Sequence, residues 1–112
     1  MTAEKYKDIS GSSAVVLTDG SKPLGAGYAG DFLSHVMGGA PSGCVWFTVM
    51  NNVNVAAVAH LADCAAVVLC DGTKPDSALL ERCKSQNINL FNTDLSVFDA
   101  CVEYARLCDK EG

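Results

Sequence analysis

Three short apolar runs around one polar turn constrain the fold more than any other part of the sequence. Residues 44–50 form the first run and lead into the polar turn 51–54. An alanine-rich run, 55–62, follows the turn, and a third apolar run occupies residues 65–70. This succession predicts a buried strand, a buried helix and a second strand, which together make a βαβ unit.

Strand and helix patterns alternate through the rest of the chain. Short strands are predicted at 14–17, 24–30 and 88–91. One short helical turn is predicted at 3–9, and helices at 32–37, at 75–86 and after residue 94. Asp31 is expected to cap the second helix, and Thr93 or Asp94 the last. The predicted buried stripe of the last helix consists of Phe98, Cys101, Val102, Ala105 and Cys108. The order predicts an α/β fold whose mostly parallel sheet is covered on both faces.

The glycines of residues 24–30 match the letters of a nucleotide-binding pattern. Gly25, Gly27 and Gly30 have the spacing GxGxxG. A dinucleotide fingerprint follows a strand and opens a helix, whereas residues 24–30 themselves have the pattern of a strand. We therefore interpret these glycines as sites of close backbone approach, either by a neighbouring element or by a ligand.

Length and charge narrow the classes of function. A chain of 112 residues suits one domain, here 1–112. Its net charge of −5 and the lack of a basic stripe disfavour nucleic-acid binding. No apolar run approaches the ~20 residues of a membrane helix, and no signal peptide opens the sequence. We therefore expect a cytoplasmic protein that contacts neither nucleic acid nor membrane.

The six cysteines are Cys44, Cys64, Cys70, Cys83, Cys101 and Cys108. None is spaced as CxxC, the usual pattern of zinc and iron–sulfur sites. We interpret them as small core residues of a reducing compartment, with Cys83 and Cys108 partly exposed. A redox role would require cysteines that converge in space. Trp46, the one tryptophan, is expected in the core.

Catalytic chemistry finds little support in the sequence. There is no GxxxxGK[ST] phosphate loop, and His35 and His60 lie in apolar helical contexts typical of structural or surface histidines. We therefore expect no catalytic residues, no metal ligands and no cofactor. The enzyme alternative would need an acid–base pair drawn from Asp31, Asp71 and the two histidines.

The turn after the first buried strand is the best candidate for a ligand site. A helix start offers unpaired N–H groups, and asparagines leave its positive end free for an anion. Carboxyl ends of parallel strands meet at one edge, which should bring further polar residues nearby. The expected ligand-binding residues are Asp31, Thr48, Asn51, Asn52, Asn54, Asp71, Gly72 and Thr73. The alternative is that the asparagines only cap the helix and form the turn.

Five segments resemble the motifs of DRTGG domains. Residues 26–37 are similar to the signature G-(Y/V)-x-G-D-L-L-S-D-V-M, and 44–48 to the strand x-x-W-I-T. Residues 54–59 resemble N-I-V-A-V-A, 72–76 match G-x-K-P-D, and 92–98 match x-T-x-L-S-x-F. The motifs keep their order over about residues 14–108.

The resemblance implies a three-layer α/β/α domain like the N-terminal domain of HPr-kinase-type proteins. It implies a non-catalytic regulatory role, a small anionic or nucleotide ligand, and a homodimer. It also leaves open an accessory role in an iron-only hydrogenase or another redox system. Asp31 is followed by Phe32 where the family has arginine, so the family's guanidinium is missing beside the predicted site.

Overall fold

The computed structural model describes residues 1–111. Within them the chain forms five strands and five helices. The strands are β1 (Ser13–Val16), β2 (Gly27–Ala29), β3 (Val45–Thr48), β4 (Ala66–Leu69) and β5 (Asn89–Asn92). The helices are α1 (Ala3–Ile9), α2 (Leu33–Gly39), α3 (Asn54–Leu61), α4 (Ser77–Ser85) and α5 (Val97–Glu111).

The strands form one sheet in the order β1-β5-β4-β3-β2. Strands β2 to β5 are parallel to their neighbours, and β1 pairs antiparallel with β5. Both βαβ strands are buried along their whole length, since β3 and β4 have helices on each side. The predicted mostly parallel sheet is confirmed.

Helices cover both faces of the sheet. The core on one face contains Val36 of α2, Val55 of α3 and Leu79 of α4. The core on the other face contains Tyr6 of α1 and Tyr104 of α5. Neighbouring residues of each central strand alternate between these two cores, as the period of a strand requires. The three-layer α/β/α fold class is thereby confirmed.

All three helices that connect β2, β3, β4 and β5 lie on the same face. Strand order therefore advances in one direction and never reverses between parallel neighbours. A doubly wound sheet opens its ligand crevice where the order reverses. The parallel strands of this sheet contain no reversal of strand order. The fold therefore gives less support to the ligand crevice that the sequence predicted at their carboxyl ends.

Close backbone approach at the glycine-rich segment is confirmed. The Gly25 N–H donates to the Gly43 carbonyl at 2.8 Å. A Cβ atom at residue 25 would lie 2.9 Å from that carbonyl oxygen, closer than real Cβ contacts allow. Gly25 thus serves the packing of two chain segments.

Several predicted helix ends are wrong. Asp31 does not cap α2, whose N-cap is Phe32 without a side-chain hydrogen bond. Helix α4 begins at Ser77 rather than at the preceding proline, and its cap is Asp76. At α5 the Ser96 hydroxyl, rather than Thr93 or Asp94, accepts from a first-turn amide, Asp99 N–H, at 3.0 Å.

Predicted burial is wrong at three positions. Phe98, assigned to the buried stripe of α5, is 74% exposed, and Ala105 of the same stripe is also exposed. Ala100 and Tyr104 are the residues of α5 that are buried instead. Cys83, expected to be partly exposed, is fully buried in α4. Trp46 is fully buried, as expected, and its indole N–H donates to the Gly30 carbonyl at 2.8 Å.

No helix within residues 1–111 combines the length and apolarity needed to cross a membrane.

Candidate functional site

Asp31 and Thr48 meet at the carboxyl edge of the sheet. One Asp31 carboxylate oxygen accepts from the Thr48 hydroxyl at 2.7 Å and from the Val49 N–H at 2.9 Å. The Thr48 oxygen in turn accepts from the Met50 N–H at 3.2 Å. Thr48 is completely buried, so this network fixes the exit of β3. The pair predicted from sequence is brought together, and one Asp31 carboxylate oxygen and the Thr48 hydroxyl oxygen already accept from protein donors.

The asparagine turn also satisfies much of its own hydrogen bonding. The Asn52 side-chain oxygen accepts from the Asn54 N–H at 3.0 Å, and the Asn52 carbonyl accepts from the Val55 N–H at 3.0 Å. The Asn51 amide donates to the Lys74 carbonyl at 3.0 Å, which ties the turn to the loop after β4. This geometry favours the alternative in which the asparagines form the turn and cap α3.

The loop after β4 has two residues with left-handed backbone, Asp71 with φ 58° and Gly72 with φ 69°. Their N–H groups donate to the carbonyls of Leu95 and Thr93, and the Thr73 N–H donates back to Cys70. Gly72 lines a cavity of about 240 Å³ together with Lys74 and Asp94. The other predicted residues are outside its wall. The predicted set is therefore spread along the edge instead of converging on one cavity.

A larger polar cavity lies at the opposite, amino-terminal edge of the parallel strands. Its volume is about 420 Å³, and its wall includes Lys22, His60, Asp63, Cys64 and Gln86. The loop after β1, the end of α3 and the end of α4 supply these residues. Local sequence patterns do not predict this convergence, because the three segments are far apart along the chain and only the folded sheet brings them together.

Asn89 forms the rigid floor of this amino-edge cavity. It is 1% exposed, its side-chain oxygen accepts from the N–H groups of Thr18 and Asp19 at 3.1 Å, and its amide donates to the carbonyls of Asp19 and Ala65. All four hydrogen-bonding positions of Asn89 are thus used. The side-chain oxygen Oε1 of Gln86 differs, since it is buried without a partner among the described residues.

Two cysteines converge beside the amino-edge cavity. The sulfur atoms of Cys44 and Cys64 lie 3.5 Å apart. The hydrogen bond between the two thiols lowers the pKa of Cys44 and raises the pKa of Cys64. Elsewhere burial raises the pKa of Cys70 to about 12 and that of Cys83 to about 11. Within residues 1–111, His, Cys, Asp and Glu side chains form no group of three that could hold a metal ion.

Comparison with known proteins supports the fold alone. The sequence matches no protein-family model and no curated protein. Among solved structures the chain is similar to the CBS and DRTGG domains of the regulatory region of Clostridium perfringens pyrophosphatase, complexed with the activator diadenosine tetraphosphate. The TM-score is 0.75 at 14% identity over 91% of this chain, and the match spans 45% of the other chain. A DRTGG-like fold is therefore confirmed.

Proposed function

We propose that this chain is a non-catalytic regulatory module of the DRTGG type that binds a small ligand of the nucleotide class. The observation that carries the proposal is the fold shared with a regulatory region crystallised with a nucleotide activator. The motif resemblance found in the sequence supports the same role independently. Because the chain spans under half of that neighbour, the ligand and the regulated partner are part of the proposal.

The amino-edge cavity is the location that we favour for the ligand. Its volume of about 420 Å³ lies in the range of roughly 300–1,000 Å³ that small-molecule sites occupy. Lys22 offers a cation for a phosphate, and Asp63 offers acceptors for ribose hydroxyls. Gln86 lines the cavity, and its side-chain amide offers both a donor and an acceptor for a base.

The carboxyl edge remains the second proposed location. The expected contacts there are still Asp31, Thr48, Asn51, Asn52, Asn54, Asp71, Gly72 and Thr73. Lys74, in the wall of the smaller cavity beside Gly72, would supply a positive charge for an anion. The two locations lie at opposite ends of the parallel strands, so one mapping experiment separates them.

Thermal unfolding with a ligand panel tests the function. Adenosine, AMP, ADP, ATP and diadenosine tetraphosphate are each added to the full chain at rising concentration. A ligand that binds only the folded state raises Tm in a concentration-dependent manner. Amide NMR titration with the strongest stabiliser then locates the site. If no member of the panel raises Tm at millimolar concentration, the nucleotide proposal is wrong.

Matched variants distinguish the two edges. His60→Ala and Lys22→Ala should weaken binding at the amino-edge cavity, whereas the double variant N52A/N54A should weaken binding at the carboxyl edge. Lys84→Ala is the control, because Lys84 is an exposed residue of α4 outside both cavities and pairs with Glu81 at 3.8 Å. Equal binding by all of these variants would reject both locations.

We further propose that the module acts as a homodimer in the cytoplasm, as the resemblance implies. Exposed apolar side chains on the helix faces support self-association. Phe32, at the start of α2, is 64% exposed, and Leu61 of α3, a helix on the same face of the sheet, is 68% exposed. Large apolar side chains exposed to this extent commonly mark contact surfaces when they cluster.

A further inference from the structure

We propose that Cys44 and Cys64 form a reversible intramolecular disulfide when the chain meets a low-molecular-weight disulfide such as oxidised glutathione. This inference does not depend on the nucleotide proposal, although Cys64 lines the same amino-edge cavity. It rests on two thiols 3.5 Å apart that come from segments 20 residues apart in sequence. The structure thus supplies the convergence that a redox role requires and that the sequence spacing did not indicate.

Backbone hydrogen bonds hold the two cysteines in register. The Gly43 N–H donates to the Asp63 carbonyl at 2.7 Å, one residue before each cysteine. The Ala65 N–H donates to the Cys44 carbonyl at 2.7 Å, immediately after Cys64. Strands β3 and β4 continue this pairing in parallel, with Val45 opposite Ala66. The thiols are therefore fixed side by side at the start of two adjacent strands.

The loops before the two cysteines are also joined by a side chain. The Ser42 hydroxyl donates to the Asp63 carboxylate, and both Gly43 and Asp63 have left-handed backbone, with φ 81° and 56°. Each cysteine thus follows a residue in a sharp turn. Closing the sulfur–sulfur distance to the ~2.05 Å of a disulfide needs a movement that these turns can supply more readily than the strands.

Access determines the order of reaction. Cys64 is partly exposed and lines the amino-edge cavity, whereas Cys44 is fully buried. Oxidised glutathione therefore reacts first at Cys64. The Cys64 thiolate attacks one glutathione sulfur, and one glutathione thiolate leaves. The Cys44 thiolate then attacks the Cys64 sulfur of the mixed disulfide, and the second glutathione thiolate leaves.

Oxidised glutathione accepts both the electrons and the protons that the two cysteines lose. Two electrons pass from the cysteine pair to oxidised glutathione, and the two thiol protons end on two molecules of reduced glutathione. The raised pKa of Cys64 makes the first step slow at neutral pH and faster as pH rises. The second step is intramolecular, because the Cys44 sulfur already lies beside the Cys64 sulfur, so the mixed disulfide should not accumulate.

Thiol mapping in glutathione buffers tests the proposal. Reduced full-length chain is equilibrated at rising proportions of oxidised glutathione, quenched in acid, and alkylated. The number of free thiols should fall from six to four. Cleavage before aspartate places Cys44 on peptide 31–62 and Cys64, with Cys70, on peptide 63–70, and fragmentation of the linked pair identifies which sulfur is joined. Oxidised chain should also show a higher Tm that returns to the reduced value with dithiothreitol.

Two variants complete the test. Cys44→Ala should retain glutathione on Cys64, because no second thiol can displace it. Cys83→Ala is the control, since it removes a fully buried thiol from α4 and should oxidise as the wild type does. Retention of all six thiols, a disulfide between another pair, or stable glutathione on wild-type Cys64 would overturn the proposal. The wild-type peptide map tests for the Cys44–Cys64 disulfide even if Cys44→Ala fails to fold.

Discussion

Asp31 is the residue whose observed role differs most from its expected one. Gly30 and Asp31 stand at a strand-to-helix junction, where a carboxylate commonly caps the helix. The Thr48 hydroxyl and the Val49 N–H instead hold the carboxylate against the end of β3. An aspartate at this position predicts a hydrogen-bond acceptor. Whether it accepts from the first-turn amides of α2 or from the end of β3 depends on where β3 lies, and the local sequence does not specify that.

Replacement of Asp31 should therefore destabilise the fold through the buried threonine. Asp31→Ala leaves the fully buried Thr48 hydroxyl without its acceptor, and we expect a loss of about 2 kcal/mol in the free energy of unfolding. Asp31→Asn keeps an oxygen acceptor and should lose less. Urea unfolding of both variants measures the difference. Equal losses for the two variants would show that the acceptor contributes nothing.

Tyr6 gives a prediction about alkaline pH. Its hydroxyl lies 2.9 Å from the Ser12 hydroxyl, and burial raises its pKa from 10.0 to about 12. Because the folded-state pKa is the higher one, the unfolded chain ionises first as pH rises. The contribution of Tyr6 is complete below pH 10 and is lost between about pH 10 and 12.

The variant Tyr6→Phe isolates this contribution. At neutral pH it should cost about 1 kcal/mol, the net value of a typical hydrogen bond. Above pH 10 the difference between wild type and Tyr6→Phe should shrink, since the variant has no phenol to ionise. Unfolding in urea from pH 7 to 11 measures this difference. A constant difference across that range would contradict the assigned cause.

The presence of each helix was easier to predict from the sequence than the residue at which the helix begins. Every predicted strand and helix is present, because runs of apolar residues bounded by turns strongly determine local structure. The start of α5 was misplaced since the Thr93 hydroxyl is engaged elsewhere: it donates to the Gly11 carbonyl at 3.1 Å and accepts from the Leu95 N–H. A contact across 82 residues thus moved the cap to Ser96.

The cap of α4 offers a direct test of helix-start energetics. Asp76 accepts from the Leu79 N–H at 2.8 Å, and Leu79 is fully buried. Asp76→Ala should lower the free energy of unfolding by about 1 kcal/mol. Asp76→Ser retains a capping oxygen and serves as the control. Chemical unfolding that gives the same stability for all three proteins would mean that the cap does not limit this helix.

For the molecule as a whole, the sequence predicted the layers but not the location of the larger cavity. Alternation of strands and helices determines an α/β sheet, whereas the direction in which the helices wind depends on how all strands assemble. Because α2, α3 and α4 share one face, the carboxyl edge lacks a reversal point. The amino-edge cavity arises where the ends of α3 and α4 meet the loop after β1. No local sequence pattern predicts that these three segments converge.

Self-association is the prediction that concerns the whole molecule. Phe32, at the start of α2, is 64% exposed and lies on the sheet face opposite to Phe98 of α5. If the α2 face forms the dimer, Phe32→Asp should yield a monomer, because burying a charge in an apolar contact is costly. Phe98→Asp, the matched control, should remain dimeric. Sedimentation at micromolar concentration measures both, and a wild-type species of only 11.7 kDa would reject the dimer altogether.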